Sequence, residues 1–220
     1  MRRHLLSLIV LVVAVVLLGL ALPGLRMPPA ATAPEAAGHR PEAGATGNQT
    51  AATAQTGDIQ PYFSRRDDPR GAVLAALGSV RSSAVVAMYT FTDHDLAAAL
   101  IAAQRRGAAV SVYLDRSQAA QKVSVARELV QAGVPVRISS NRHIMHNKFA
   151  VLDGATVITG SYNWTHAASQ DNDENLLVMH RADMAQSYTR RFTELWSAWD
   201  PALTEALKSP LGPSRRPEYN

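Results

Sequence analysis

From residue 58 to residue 207 the chain alternates short apolar runs with stretches of helical spacing. Ile59–Phe63 reads as a short strand. Pro69 opens a helix whose apolar positions Val73, Leu74, Leu77 and Val80 recur at helical spacing. Ala84–Tyr89 and Ala108–Leu114 are continuous apolar runs, the pattern of strands buried on both faces. Between them lies a helix capped by Asp93 or Asp95, with Leu96, Leu100 and Ile101 inward and Gly107 at its stop. A helix through Val123–Ala132 ends at Gly133, and Val134–Ile138 is the next strand. Lys148–Leu152 and Thr156–Thr159 flank Asp153-Gly154, a hairpin turn signal. Asn175–Met179 is the last strand and Ala182–Trp199 an amphipathic closing helix. This order predicts one α/β domain over residues 58–207, a mixed central β-sheet flanked by helices on both faces.

The ends of the chain read differently. Arg2 and Arg3 precede Leu5–Leu22, 18 residues without a charge, and Pro23-Gly24 ends the run. A basic start followed by an apolar run is the pattern of an export signal. At about 1.5 Å per residue the run also reaches about 27 Å, enough to stay as a bilayer anchor. Residues 1–25 are therefore expected to be a signal peptide or an N-terminal membrane anchor. The positive start would remain inside and the domain would lie outside the cytosol, secreted, periplasmic or anchored. Residues 26–57 are rich in Ala, Pro, Gly and Thr and lack the apolar side chains of a core, so they read as a disordered tether. The tail 208–220 carries three prolines and reads as flexible.

Composition narrows the chemistry. The 220 residues include no cysteine, which excludes disulfides, Cys-ligated zinc, iron–sulfur clusters and thiol catalysis. The formal charge of +4 points at first to an anionic partner. Position removes that inference: residues 58–207 hold 15 of the 22 Lys and Arg and 15 of the 18 Asp and Glu. The domain is formally neutral, and the excess charge belongs to the termini.

One segment concentrates groups suited to an anion. His146 and Lys148 are two residues apart at the start of a strand and so point to one side. A histidine beside a fixed ammonium suits a phosphate better than a metal cation. Ser161 and Asn163 follow Gly160 and add hydroxyl and amide donors, while Gly160 lets the backbone come close. Thr165 is placed to cap a short helix. Donors arranged in advance stabilise charge developing on a phosphoryl oxygen.

The pattern His146-x-Lys148-x4-Asp153-x6-Gly160-Ser161-x-Asn163 resembles the HKD motif of the phospholipase D superfamily. Thr165, Ala168, Asn172 and Glu174 continue the likeness to its small single-motif branch of bacterial nonspecific endonucleases and mitochondrial cardiolipin hydrolases, as do Tyr62-Phe63-Ser64, Met88–Thr92 and the stretch from Arg106-Gly107 through Asp115. The resemblance spans roughly residues 58–200. It implies hydrolysis of phosphodiester bonds without a metal or other cofactor. His146 would attack phosphorus and form a phosphohistidine. A second histidine would protonate the leaving oxygen and then activate water. Lys148, Ser161 and Asn163 would hold the phosphate, and Glu174 would hydrogen-bond the other nitrogen of His146. Asp153, at the turn, has a structural role in this reading. One motif per chain implies a homodimer with a composite site. The substrate is nucleic acid, as for an exported endonuclease, or a phospholipid head group, with residues 5–22 a possible membrane tether; a tethered nucleic-acid-binding module without turnover is the non-enzymatic reading.

Other features have plainer explanations. His143-x-x-His146 lacks further metal-ligand spacing, so His143 reads as a loop residue at the pocket rim. Arg105-Arg106 and Arg190-Arg191 read as solvated helix faces, and Trp164, Trp196 and Trp199 as packing or dimer contacts.

Overall fold

The computed structural model describes residues 59–209. The expected export run, the tether and most of the tail lie outside the described residues. Seven strands form one mixed sheet in the order β1-β7-β6-β5-β2-β3-β4. They are β1 (Ile59–Phe63), β2 (Ser83–Met88), β3 (Ala109–Leu114), β4 (Val136–Ile138), β5 (Lys148–Leu152), β6 (Thr156–Gly160) and β7 (Asn175–His180). β2, β3 and β4 pair in parallel, and every other neighbouring pair is antiparallel.

The helices cover both faces of the sheet. α1 (Pro69–Ser79), α2 (His94–Arg105) and α4 (Ala126–Gln131) contribute Val73, Leu77, Leu100 and Leu129 to a core with Val86, Val112, Ile158 and Val178. α6 (Ala182–Ser197) places Phe192 and Leu195 against Val151 and Val157 on the other face. Alternate residues of β5 therefore enter different cores: Ala150 and Leu152 one, Phe149 and Val151 the other. This explains the unbroken apolar runs of the central strands.

Strand direction gathers the loops that matter. β5 is antiparallel to both β2 and β6, so the ends of β2 and β6 and the starts of β5 and β7 share one edge of the sheet. The opposite edge carries the β5–β6 turn. There Asp153 and Gly154 have φ of 52° and 63°, and Ala155 N–H donates to the Leu152 carbonyl at 3.0 Å, the geometry of a type I′ hairpin.

Three short elements differ from expectation. The helix expected from Val123 starts only at Ala126, and Val123 is left 66% exposed. α3 (Arg116–Ala119) is an extra turn started by Asp115, whose carboxylate accepts from the Ser117 and Gln118 amides. α7 (Pro201–Ala206) follows α6 as a separate helix, with Asp200 as its side-chain cap and Pro201 in its first turn. Asp-Pro at a helix start is a readable signal that the apolar pattern of α6 obscured. α5 (His166–Gln170) begins where Thr165 was expected to cap, its hydroxyl accepting from Ala168 N–H at 3.1 Å. Arg106 is exposed, as expected, and its Nη2 also donates to the Gly78 and Val80 carbonyls at 3.2 and 3.3 Å, closing the end of α1.

Asp153 holds the far edge together. Its carboxylate accepts the amides of Arg81, Ser82 and Ser83 and the Ser82 hydroxyl, at 2.8–3.2 Å. Partial burial opposes its ionisation, but these donors prevail, chiefly the Ser83, Ser82 and Arg81 amides, and its pKa falls to about 2. We expect Asp153→Ala to cost about 2 kcal/mol, lowering Tm by about 5 °C at pH 7. Because the folded pKa lies below the unfolded value near 3.8, the wild-type advantage is complete above that value and shrinks as pH falls toward about 2. Thermal melts of both proteins from pH 7 to pH 2 check this.

Candidate active site

The shared sheet edge opens into a pocket of about 340 Å³ lined by His146, Lys148, Gly160, Ser161, Asn163 and Glu174. Six of the seven motif residues singled out in the sequence meet there. Asp153, the seventh, lies at the opposite edge and is structural, in line with its turn position. Lys148 begins β5 with its neighbour Met88 at the end of β2. It is buried at 8% exposure, and its Nζ donates to the His146 carbonyl at 3.1 Å and lies 4.9 Å from the ring centre of Tyr89. Burial pushes the Lys148 ammonium below the ordinary lysine pKa, and the charge of Glu174 opposes that shift. Among the described residues no carboxylate stands in ion-pair contact with Lys148, and Glu174 across the pocket compensates it only in part.

His146 packs its ring on Tyr89, centroid to centroid 4.5 Å, and neither of its ring nitrogens has a protein partner among the described residues. The expected bond from Glu174 to His146 is not made. Glu174 instead accepts from Ser161 Oγ at 2.5 Å and from Asn172 Nδ2 at 3.0 Å. The Ser161 hydroxyl is thereby engaged, and also accepts Asn175 N–H at 3.1 Å. Asn163 Oδ1 accepts Thr90 N–H at 3.2 Å, which fixes the carboxamide and leaves Nδ2 without a protein partner. Gly160 is required for a reason other than ligand approach. Its φ is 151°, and a Cβ there would stand 2.2 Å from the Asn175 carbonyl oxygen of β7.

The groups behind this pocket lie in stretches that carry the family resemblance, but the sequence assigned them no role. Asp115, fully buried at the end of β3, accepts from Ser117 N–H and Oγ, from Gln118 N–H, and from Met145 N–H at 2.8 Å. The last bond fixes the residue before His146. Gln118 in turn donates to Tyr89 OH at 3.4 Å and meets Thr90 Oγ1 at 3.3 Å. One buried carboxylate thus braces the loop carrying His146 and the turn supporting Tyr89. The sequence signals were an Asp ending an apolar strand and its place at the end of the resembling stretch Arg106–Asp115. Elsewhere, His143 is exposed with its amide on Asn141 Oδ1, and Trp164 is buried edge-on to Phe91. Trp196 and Trp199 hold the Arg137 guanidinium at 4.4 and 4.5 Å. These tryptophans pack within the fold, as expected.

A family model described as "Cardiolipin synthase, PLD-like domain" matches residues 73–196, which include the whole pocket. The chain belongs to this phospholipase D-like family. It is 38% identical over 130 residues to the mitochondrial cardiolipin hydrolase of Xenopus laevis, covering 59% of this chain and 62% of that protein. It is 40% identical over 116 residues to phospholipase D of Rickettsia bellii, covering 53% and 58%. The chain thus spans about three fifths of the curated relatives it matches. The fold superposes on Nuc of Salmonella typhimurium, a phospholipase D family member, with TM-score 0.62 and 32% identity over 64% of this chain and 95% of that one. NucT of Helicobacter pylori shares the fold with TM-score 0.60 at 22% identity.

The two buried charges of this PLD-like site predict opposite stability effects. Lys148→Met removes a desolvated, poorly compensated cation, and Tm is expected to rise by about 3 °C. Asp115→Asn breaks a satisfied anion and is expected to cost about 2–3 kcal/mol, lowering Tm by about 5–10 °C. Calorimetry of both variants checks the signs.

Proposed function

We propose that residues 59–209 form a phosphodiesterase that works without a metal, through a phosphohistidine, on nucleic acid. The convergence of His146, Lys148 and Asn163 in one pocket carries this reading. A diester phosphate there would neutralise Lys148 and accept from Asn163 Nδ2. The His146 imidazole forms a bond to phosphorus as the ester bond breaks. The departing oxygen takes a proton from a second histidine, which then removes a proton from the water that attacks the phosphohistidine and releases His146. Arrival of the phosphate draws the Ser161 hydroxyl off Glu174, and the freed carboxylate takes the N–H of His146.

Among the described residues one chain brings one histidine to the pocket, so in this proposal the acid–base histidine is the His146 of a second copy, and the active unit is a homodimer. An exposed apolar side chain at the same sheet edge supports this. Phe63, 44% exposed, ends β1 opposite Asn175 and is a surface that a second copy would cover.

The likeness to the small bacterial endonucleases favours nucleic acid as substrate. The relatives named for cardiolipin hydrolysis and phospholipase D activity favour a second reading, removal of a phospholipid head group. The uncharged run Leu5–Leu22 behind Arg2 and Arg3 supports export or membrane anchoring of the domain. Among the described residues no helix is long and apolar enough to cross a membrane.

The test is turnover of plasmid DNA, single-stranded RNA and cardiolipin or phosphatidylcholine vesicles in EDTA. Wild type is expected to cleave nucleic acid, and His146→Asn to lose at least 1,000-fold, about 4 kcal/mol of transition-state stabilisation. Tyr89→Phe keeps the ring under His146 and should retain most of kcat, whereas Tyr89→Leu should lose about tenfold or more. Head-group release without nucleic-acid cleavage would move the assignment to lipid, and full activity in His146→Asn would contradict the mechanism.

A further inference from the structure

A second cavity, about 280 Å³, touches the phosphate pocket, and the two share His146 and no other lining residue. Its walls include Asn141, Ile144, Asn147, Arg191, Glu194 and Leu195. β5 begins at Lys148, so His146 and Asn147 stand in the loop that leads into it. His146 lines both spaces, while Asn147 lines only the second, together with Arg191 of α6.

Most donors around this cavity are engaged. The Tyr113 and Ser140 hydroxyls both donate to the Ala198 carbonyl, and Asn141 Nδ2 donates to the Ile144 carbonyl at 3.2 Å. Arg191 and His146 are exceptions. Glu194 takes Arg191 Nη1 at 2.8 Å, and Nε and Nη2 have no protein partner among the described residues. Among the described residues Glu194 is also the only carboxylate lining the cavity. The rest of the lining is partly apolar, through Ile144, Met145 and Leu195. A cation with spare N–H groups, an apolar wall and a shared border with the attacking histidine suit a particular ligand. It is a second phosphate one sugar away from the first, with the sugar resting on the wall.

We propose that this cavity is a neighbouring-phosphate subsite, in which Arg191 binds the phosphate adjacent to the scissile one on a nucleic-acid strand. The inference rests on the phosphodiesterase reading of His146 and adds a preference for substrates with two or more consecutive phosphates. A guanidinium is suited to the role because its planar fork meets two phosphate oxygens at once. It also gives a formally neutral domain a local means of holding a polyanion.

The experiment compares wild type with Arg191→Gln on bis(p-nitrophenyl) phosphate and thymidylyl-thymidine, which carry one phosphate, and on the 5′-phosphorylated dinucleotide and the trinucleotide, which carry two. Arg190→Gln is the control, an exposed neighbour on α6 that does not line the cavity. The expected result is a roughly tenfold rise in KM for the two-phosphate substrates with Arg191→Gln. KM for the one-phosphate substrates and kcat for all four should be unchanged, as should every value for Arg190→Gln. The salt slope of log(kcat/KM) for the trinucleotide should fall by about 1. Equal effects on one- and two-phosphate substrates, or none, would overturn the subsite. So would an effect confined to cardiolipin vesicles relative to phosphatidylglycerol vesicles. Wild type inactive on all four diesters would contradict the phosphodiesterase reading itself, an outcome separable from any effect of Arg191.

Discussion

A positive charge taken out of water with no carboxylate in ion-pair contact among the described residues is the constraint around which this domain is arranged. Lys148 sits at the first position of β5, in the middle of a seven-stranded sheet, with a carbonyl and the face of Tyr89 as its nearest partners. Desolvation of an ammonium costs several kcal/mol when nothing compensates it. In the proposed function the complement arrives with the substrate. A phosphate is a stronger partner for Lys148 in this pocket than in water, where both would be hydrated. Buried attraction of this kind lets a small neutral domain select phosphate esters.

The sheet topology makes the pocket possible. An antiparallel excursion of β5, β6 and β7 beside parallel β2, β3 and β4 brings strand starts and strand ends to one edge. His146, Asn163 and Glu174 stand outside the strands, in three separate connecting segments, yet all line one pocket with Lys148. The opposite edge is locked by Asp153, and the near edge by Asp115. Two carboxylates satisfied by backbone amides thus secure the sheet at both ends, leaving Lys148 as the poorly compensated charge between them.

The regular strands and long helices were legible in the sequence because both faces of the sheet are covered, so the central strands appear as plain apolar runs. The pocket residues from His146 to Glu174 were legible because they lie close together in the chain, at spacings set by one hairpin. What escaped was long-range. Glu174 was expected on His146 but lies on Ser161, since that pairing depends on how β7 approaches Gly160. Asp115 and Tyr89 come from elements over 20 residues upstream of His146 and reach it only through strand order. Arg191 read as a solvated position on α6, and its relation to His146 appears only when α6 is laid across β5.

The claim on which the rest depends is that His146 is the atom donor that replaces the ester oxygen on phosphorus. It is tested by mixing the full chain in excess with a diester for a single turnover, quenching in alkali, and mapping the adduct by mass spectrometry. The account predicts a transient phosphoryl adduct on His146 that forms and decays as product appears. Product formation with no adduct at any time, or an adduct on another residue, would contradict it.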